Sequence, residues 1–289
     1  LTIVEHTRAA GIVVVGSAGN EGSGCSTINT PPAIYDATFS IGATDSSDNI
    51  AGFSSRGPVT VDGSGRLKPD VSAPGVSVRS STSGGGYGNA SGTSMASPHV
   101  AGLVALVLDA RPDLIGRVEE VESIIRLSAV PRTTSQQCGG IPGSEVPNPV
   151  YGYGRIDALE AVTGDADGDG VDNLNDCSPV DGAVWDSPGP AADLRVEENN
   201  LVTALSWSAP TGDGVGELRY DVLRSAAAGD FSSPTCLVSD TLHTSSFDAD
   251  DAAAGLYYYL VRAKNACGGS LGSTSDGTPR SGGICVEIP

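Results

Sequence analysis

A chain of 289 residues is long enough for about two domains; 39% apolar residues can supply a core, and 39 glycines with 18 prolines point to many turns. With 16 Lys and Arg against 35 Asp and Glu, the formal net charge of −19 argues against nucleic acid as a partner and against attraction to an anionic membrane surface. No apolar run reaches the ~18 residues of a membrane span, so no membrane-spanning helix is expected, and six cysteines at wide spacings, none in a CxxC pair, fit the disulfides of an exported protein better than a zinc site.

Residues 2–10 predict a short helix stopped by Gly11. Ile12-Val13-Val14-Val15 is a β-branched run without alternation, the pattern of a parallel strand buried on both faces. Helix followed by buried strand implies α/β layers. Ser17-Ala18-Gly19-Asn20-Glu21-Gly22 follows at the strand end, where open α/β sheets bind ligands. The Asn20 side-chain amide is a neutral donor suited to a developing oxyanion; an Asn beside Gly serves equally as a turn former. Residues 39–43 and 76–79 predict further short strands, with 53–58 and 68–75 as loops between them.

The string Gly92-Thr93-Ser94-Met95-Ala96-Ser97-Pro98-His99-Val100-Ala101-Gly102 then opens an apolar helix running to residue 110. A tight turn at Gly92 and Thr93 puts Ser94 at the helix N-terminus, where unpaired N–H groups and the dipole favour negative charge. A serine there either caps the helix or attacks a carbonyl while its own N–H helps to hold the oxyanion. Residues 118–128 carry apolar positions at helical spacing, and Tyr151-Gly152-Tyr153-Gly154-Arg155-Ile156-Asp157 leads into a last helix at 158–162. Cys25 and Cys138 lie in loops of this one domain and are expected to pair.

The 92–102 string resembles the nucleophile signature of the subtilisin-like serine peptidases. The segments around Asn20, 53–58, 68–75 and 151–157 extend the resemblance over residues 1–163. It implies an incomplete α/β parallel-sheet catalytic domain with Ser94 as nucleophile and Asn20 as oxyanion donor. Ser17, Ala18 and Gly19 would line the primary specificity pocket. In that family the catalytic aspartate and then the histidine precede the serine, each in its own motif upstream of the oxyanion asparagine. Only 19 residues precede Asn20, and neither motif is among them. His6 lies on the opening helix and His243 in the other domain. His99 follows Ser94 by five positions, about 140° around the helix, and is expected to pack behind the nucleophile. Two readings compete, truncation and a natural pseudoenzyme; absent strands beside an intact Ser94 and Asn20 favour truncation. A first residue that is Leu1 and not Met, in the middle of what reads as a helix, suggests a fragment or processed form, and the lack of a visible signal peptide carries little weight. The isolated chain is expected to be inactive and to expose a sheet edge.

Residues 164–187 form an acidic linker. Asp165, Asp167 and Asp169 fall at positions 1, 3 and 5 of a calcium loop, with Gly170 at 6, Val171 at 7 through its carbonyl, Asn173 at 9 and Asp176 at 12. Hard oxygens alternating along a loop with a glycine at the sharp turn suit Ca²⁺, although Asp at position 12 reaches less far than Glu. The alternative is a solvated acidic connector. The segment resembles thrombospondin type 3 and dockerin calcium loops, and would act as one calcium-stiffened joint.

Residues 188–289 change texture to short alternating strands at 192–196, 201–208, 218–225 and 257–264, an all-β sandwich pattern. Leu205-Ser206-Trp207, the run 219–224 and the run 257–263 resemble the B, C and F strands of a fibronectin type III domain, with Trp207 in its core. Cys236 and Cys267 are expected to staple this domain, leaving Cys177 and Cys285 over. Its expected job is binding a carbohydrate, a surface or a protein substrate, with a passive spacer as the equal alternative. The leading reading of the whole is a secreted subtilisin-like serine endopeptidase acting on proteins or peptides, with structural Ca²⁺; the rival is a non-catalytic extracellular calcium-dependent adhesion protein.

Overall fold

The computed structural model describes residues 1–199, 202–228, 230–249, 256–274, 278–280, 282 and 285. The chain divides into two compact units, Leu1–Asn175 and Asp176–Pro289.

The first unit opens with α1 (Thr2–Ala9), closed by hydrogen bonds from Ala10 N to His6 O and from Gly11 N to Arg8 O. Three short strands follow, β1 (Val15–Ser17), β2 (Phe39–Thr44) and β3 (Val71–Pro74), paired in parallel in the order β1-β2-β3. The strand buried at every position is the central β2, whereas β1 forms an edge and is only partly covered. The run 12–15 was expected to be that doubly buried strand. Of that run only Val15 enters β1, and Ile12, three residues before the strand, is 56% exposed.

Beyond β3 comes a hairpin of β4 (Val78–Ser81) and β5 (Tyr87–Ala90), then α2 (Thr93–Ala110), which packs across all three parallel strands. Thr93, Ala96, Ser97, Val100, Leu103 and Val107 are its buried residues, at the i, i+3, i+4, i+7 spacing of one helical face. The opposite face includes exposed Ala101, Gly102, Ala105 and Leu106. At 18 residues α2 is long and apolar enough to cross a bilayer by length and composition, against the expectation that no helix would be, but its buried face is spent on the sheet. The amphipathic α3 (Val118–Leu127) and the short α4 (Ala158–Thr163) complete the unit; Asp157 caps α4 by accepting from Leu159 N and Glu160 N. Glu122, 2% exposed, is held by Arg8 at 2.5 Å and Arg126 at 3.1 Å, so burial of its charge is compensated. The expected Cys25–Cys138 disulfide is present, closing 113 residues of sequence.

The second unit contains seven described strands: β6 (Ala192–Asn199), β7 (Val202–Ser208), β8 (Arg219–Ser225), β9 (Thr235–Thr241), β10 (Ser245–Asp248), β11 (Tyr258–Asn265) and β12 (Gly268–Ser270). Leu201, the first residue of one expected strand, lies outside the described residues. The strands form two antiparallel sheets, ordered β10-β7-β6 and β12-β11-β8-β9. Alternation on β7 turns Leu205 and Trp207 inward, where they meet Tyr220, Val222, Val261 and Ala263 of the other sheet in one core. Trp207 and Tyr220 meet edge to face with ring centres 5.5 Å apart. Arg224 of β8 donates to both carboxylate oxygens of Asp248 of β10 at 2.9 Å, joining the sheets by a buried ion pair. The disulfides are Cys177–Cys267 and Cys236–Cys285, not Cys236–Cys267. Cys236 sits on β9 and Cys267 in the turn between β11 and β12, so each finds a partner outside the strand framework.

Candidate active site

The site is assembled where the strand-end segment after β1 meets the N-terminus of α2. Gly92 is the N-cap, at φ +154, a backbone state that a side chain would strain. Thr93 is wholly buried and works in three directions. Its N–H donates to Asn20 Oδ1 at 2.9 Å, its hydroxyl donates to the same oxygen at 3.0 Å, and that hydroxyl accepts from Gly19 N at 3.3 Å. A backbone N–H can only donate, so the oxygen of the Asn20 amide must face Thr93. The Asn20 Nδ2 donors are thereby turned away, and among the described residues nothing accepts from them.

Ser94 is exposed in the first turn of α2. Met95 N bonds back to Gly92 O at 3.0 Å and Thr93 N is taken by Asn20, which leaves Ser94 N without an acceptor among the described residues. A Cβ built on Gly92 would lie 3.4 Å from Asn20 Nδ2 and 3.7 Å from Ser94 N. Both free donors thus border the Gly92 side of the helix head, where a side chain would stand in ordinary contact with them. No acidic side chain sits in the first turn of α2, so the positive end of the helix dipole is not neutralised there. Two neutral donors converging beside a serine hydroxyl can stabilise an oxyanion formed by attack of that hydroxyl.

The segment Ser17–Gly19 is fixed from below. Ser97 Oγ donates to Thr93 O at 3.1 Å, so Ser17 Oγ is the donor in its 3.0 Å contact with Ser97 Oγ. Ala18 N donates to Ile41 O, and the Ala18 methyl is buried in a cluster with Ile28, Ala33, Ile34 and Val59. Gly19 O accepts from Ser55 N, while Ser55 Oγ donates to Glu21 Oε2 at 2.7 Å. With the Ser17 hydroxyl committed to Ser97 and the Ala18 methyl buried, what this segment offers outward is backbone and Gly19. The roles of Thr93, Ser97 and Ser55 were missed from the sequence; the signal was a hydroxyl residue at each helical or loop position facing the strand end.

His99 differs from expectation. It is exposed, with Nδ1 2.9 Å from the Met95 carbonyl one turn back, and it does not pack behind Ser94. The α2 face that carries it has no covering element among the described residues.

In the acidic loop, Asp165, Asp167 and Asp169 bring carboxylate oxygens within 4.8 Å of one another. Asp165 accepts from Gly168 N, Asp169 N and Gly170 N at 2.7, 3.2 and 2.8 Å, and the Gly170 bond leads in holding its carboxyl below the usual range. Gly170 has φ +95, as a sharp turn at that position requires. Asp169 Oδ2 is buried without a hydrogen-bond partner, which fits a cation-facing oxygen. Val171 N donates to Asp169 Oδ1 at 2.8 Å. Asn173 has a different job from the expected ligand. Its Oδ1 accepts from Ala166 N, its Nδ2 donates to the Glu160 and Ala161 carbonyls, and it is 1% exposed, so it ties the loop to the end of α4. Asp176 falls in the second unit, where Oδ1 accepts from Ser178 N at 2.7 Å.

A parallel α/β sheet presenting a helix-borne serine and an asparagine amide at its strand ends defines a candidate acyl-transfer site. The profile of the subtilase family (peptidase S8) matches residues 2–154, and the chain belongs to that family. It is 41% identical over 172 residues to bacillopeptidase F of Bacillus subtilis (strain 168), covering 57% of this chain and 11% of that protein. Subtilisin E of the same organism is 47% identical over 112 residues, covering 38% and 27%. Its serine protease AprX is 35% identical over 182 residues, covering 56% and 37%. The chain thus spans from 11% to 37% of the lengths of these relatives. A structure titled "Structure of Prenylagaramide maturation protease PagA" superposes with TM-score 0.44 at 23% identity, over 56% of this chain and 53% of that one.

Proposed function

We propose that this chain is the nucleophile-bearing part of a secreted subtilisin-like serine endopeptidase. The observation that carries the reading is the Thr93-locked Asn20 amide, whose free donors flank Gly92 together with Ser94 N. Ser94 Oγ attacks the peptide carbonyl, the carbonyl oxygen becomes an oxyanion received by Asn20 Nδ2 and Ser94 N, and collapse releases the amine and leaves an acyl-enzyme. Ser17, Ala18 and Gly19 border the pocket for the residue on the acyl side. Proton transfer needs a histidine and an orienting aspartate. Neither family motif occurs among the 19 residues before Asn20 and His99 is turned to the Met95 carbonyl, so on this reading both groups come from outside these 289 residues and the chain alone is not expected to turn over peptides. Three disulfides support an exported protein.

The acidic loop is proposed to bind Ca²⁺ through Asp165, Asp167, Asp169 and the Val171 carbonyl. The ion would supply charge neutralisation and stiffness, and no catalytic step. The second unit is proposed to be a fibronectin type III-like module that binds a surface, a carbohydrate or a protein substrate; its three-plus-four antiparallel sheets around Trp207 support this. The test is peptide hydrolysis by the chain joined to its upstream aspartate- and histidine-bearing segment. Loss of activity in Ser94→Ala is expected, and Asn20→Ala should lower kcat about 10²–10³-fold. Undiminished turnover in Ser94→Ala would refute the assignment.

A further inference from the structure

We propose that Arg79 selects acidic residues on the leaving-group side of the bond that Ser94 attacks. This rests on the reading of Ser94 as nucleophile and names a substrate class for it. A cleft of about 310 Å³ lies beside Ser94, walled by Arg79 and Ser80 of β4 and by Ser94, Met95, Pro98 and His99 of α2. None of Ser17–Asn20 contributes to this wall. A peptide crossing Ser94 with its acyl half against the β1 end and its carbonyl oxygen at Asn20 therefore sends its amine half into the β4 side.

Arg79 is the one Lys or Arg in that wall, and the wall holds no carboxylate. The other polar groups there are the Ser80 and Ser94 hydroxyls and His99, whose Nδ1 is already turned to Met95 O. In a chain with 35 acidic against 16 basic residues, cations usually find a partner: Arg66, Arg117, Arg132 and Arg155 each face a carboxylate. Arg79 makes no ion pair among the described residues. Its guanidinium instead lies 4.1 Å above the centre of the Tyr87 ring. On the hairpin Arg79 stands opposite Asn89, so Tyr87 is its diagonal neighbour on the same face. The ring fixes one face of the planar fork and leaves its N–H edges free to bond a carboxylate in bidentate fashion with little further loss of side-chain freedom.

The test uses this chain in one polypeptide with the upstream segment that the proposed function requires. Quenched-fluorescent peptides carry Asp, Gln or Lys at the two positions after the scissile bond, and kcat/KM is measured at low salt. The Asp peptide is expected to exceed the Lys peptide by about fivefold, the scale of an exposed ion pair. The ratio should fall toward one in Arg79→Gln, invert in Arg79→Glu, and be partly kept in Arg79→Lys. Cleavage with an Asp-to-Lys ratio unmoved by Arg79→Glu would overturn the assignment of Arg79 alone. Cleavage of none of the peptides by the wild-type polypeptide would overturn the peptidase reading, and this inference with it.

Discussion

Replacing Thr93 with Val tests whether the geometry at the head of α2 is held as described. The change is nearly isosteric, keeps the Thr93 N–H bond to Asn20, and removes only the hydroxyl. Two bonds vanish, the donation to Asn20 Oδ1 at 3.0 Å and the acceptance from Gly19 N at 3.3 Å. At about 1 kcal/mol for each net hydrogen bond, the first unit should lose about 2 kcal/mol. The half-covered Gly19 amide can recover part of its loss from water, which sets the lower end near 1 kcal/mol. Urea denaturation of the 289-residue chain reads the total, and amide exchange at Gly19 reads it locally. Protection there should fall by about fivefold to thirtyfold. In the active polypeptide the Asn20 amide, then held only by the Thr93 N–H, should lower kcat more than it raises KM, because the donor acts on the oxyanion. Wild-type stability together with wild-type protection at Gly19 would refute this chain of hydrogen bonds.

Other consequences are as direct. Trp207→Ala should destabilise the second unit by about 3–5 kcal/mol in urea. Trp207→Phe should cost only about 1–2 kcal/mol, since the buried indole N–H has no acceptor to lose. Asp248→Ala leaves the buried Arg224 guanidinium without its bidentate carboxylate and should cost about 3–5 kcal/mol by the same measurement. Calcium titration by calorimetry should show one site that is abolished in the Asp167→Ala, Asp169→Ala double variant; equal binding by both proteins would exclude it. The Asp165 carboxyl is depressed by the Gly170, Gly168 and Asp169 N–H groups. Its ordering of the loop is therefore complete above the unfolded value near 4 and is lost as pH falls through the lower folded value. Protection factors of the loop amides, taken relative to the intrinsic exchange rate at each pH, should fall only below about 4; a fall near neutrality would contradict this cause.

How much of this was legible in the sequence depended on how local the governing forces were. Helices with periodic apolar faces were readable almost to the residue: 118–128 was expected against Val118–Leu127 observed, and 158–162 against Ala158–Thr163. β3 was read as part of a loop because Val71–Pro74 contains a serine and a proline, and only its parallel pairing with Ile41–Thr44 makes it a strand. β9 and β10 were missed because Thr235–Thr241 and Ser245–Asp248 lack a strong alternation; long-range pairing with β8 and β7 supplies their order. Asn20 and Ser94 could be named from their motifs, but which way the Asn20 amide faces could not. That is set by Thr93, 73 residues away. The two disulfides of the second unit were mispaired because connectivity depends on where turns bring Cα atoms within 5.2 and 5.5 Å, which spacing does not encode. His99 was expected to be a hydrogen-bonded packing residue because it lies about 140° around the helix from Ser94; the hydrogen bond is there, to the Met95 carbonyl, but its face of α2 is exposed.

The central claim is that Ser94 and its oxyanion donors are assembled here while the proton-transfer groups are supplied from outside the chain. Labelling by a fluorophosphonate, which needs an activated serine, tests it most directly. The 289-residue chain should label no faster than its Ser94→Ala variant. The polypeptide that includes the aspartate- and histidine-bearing segment should label at Ser94 alone. Fast labelling of Ser94 in the isolated chain, or a label on another residue of the longer polypeptide, would contradict the account.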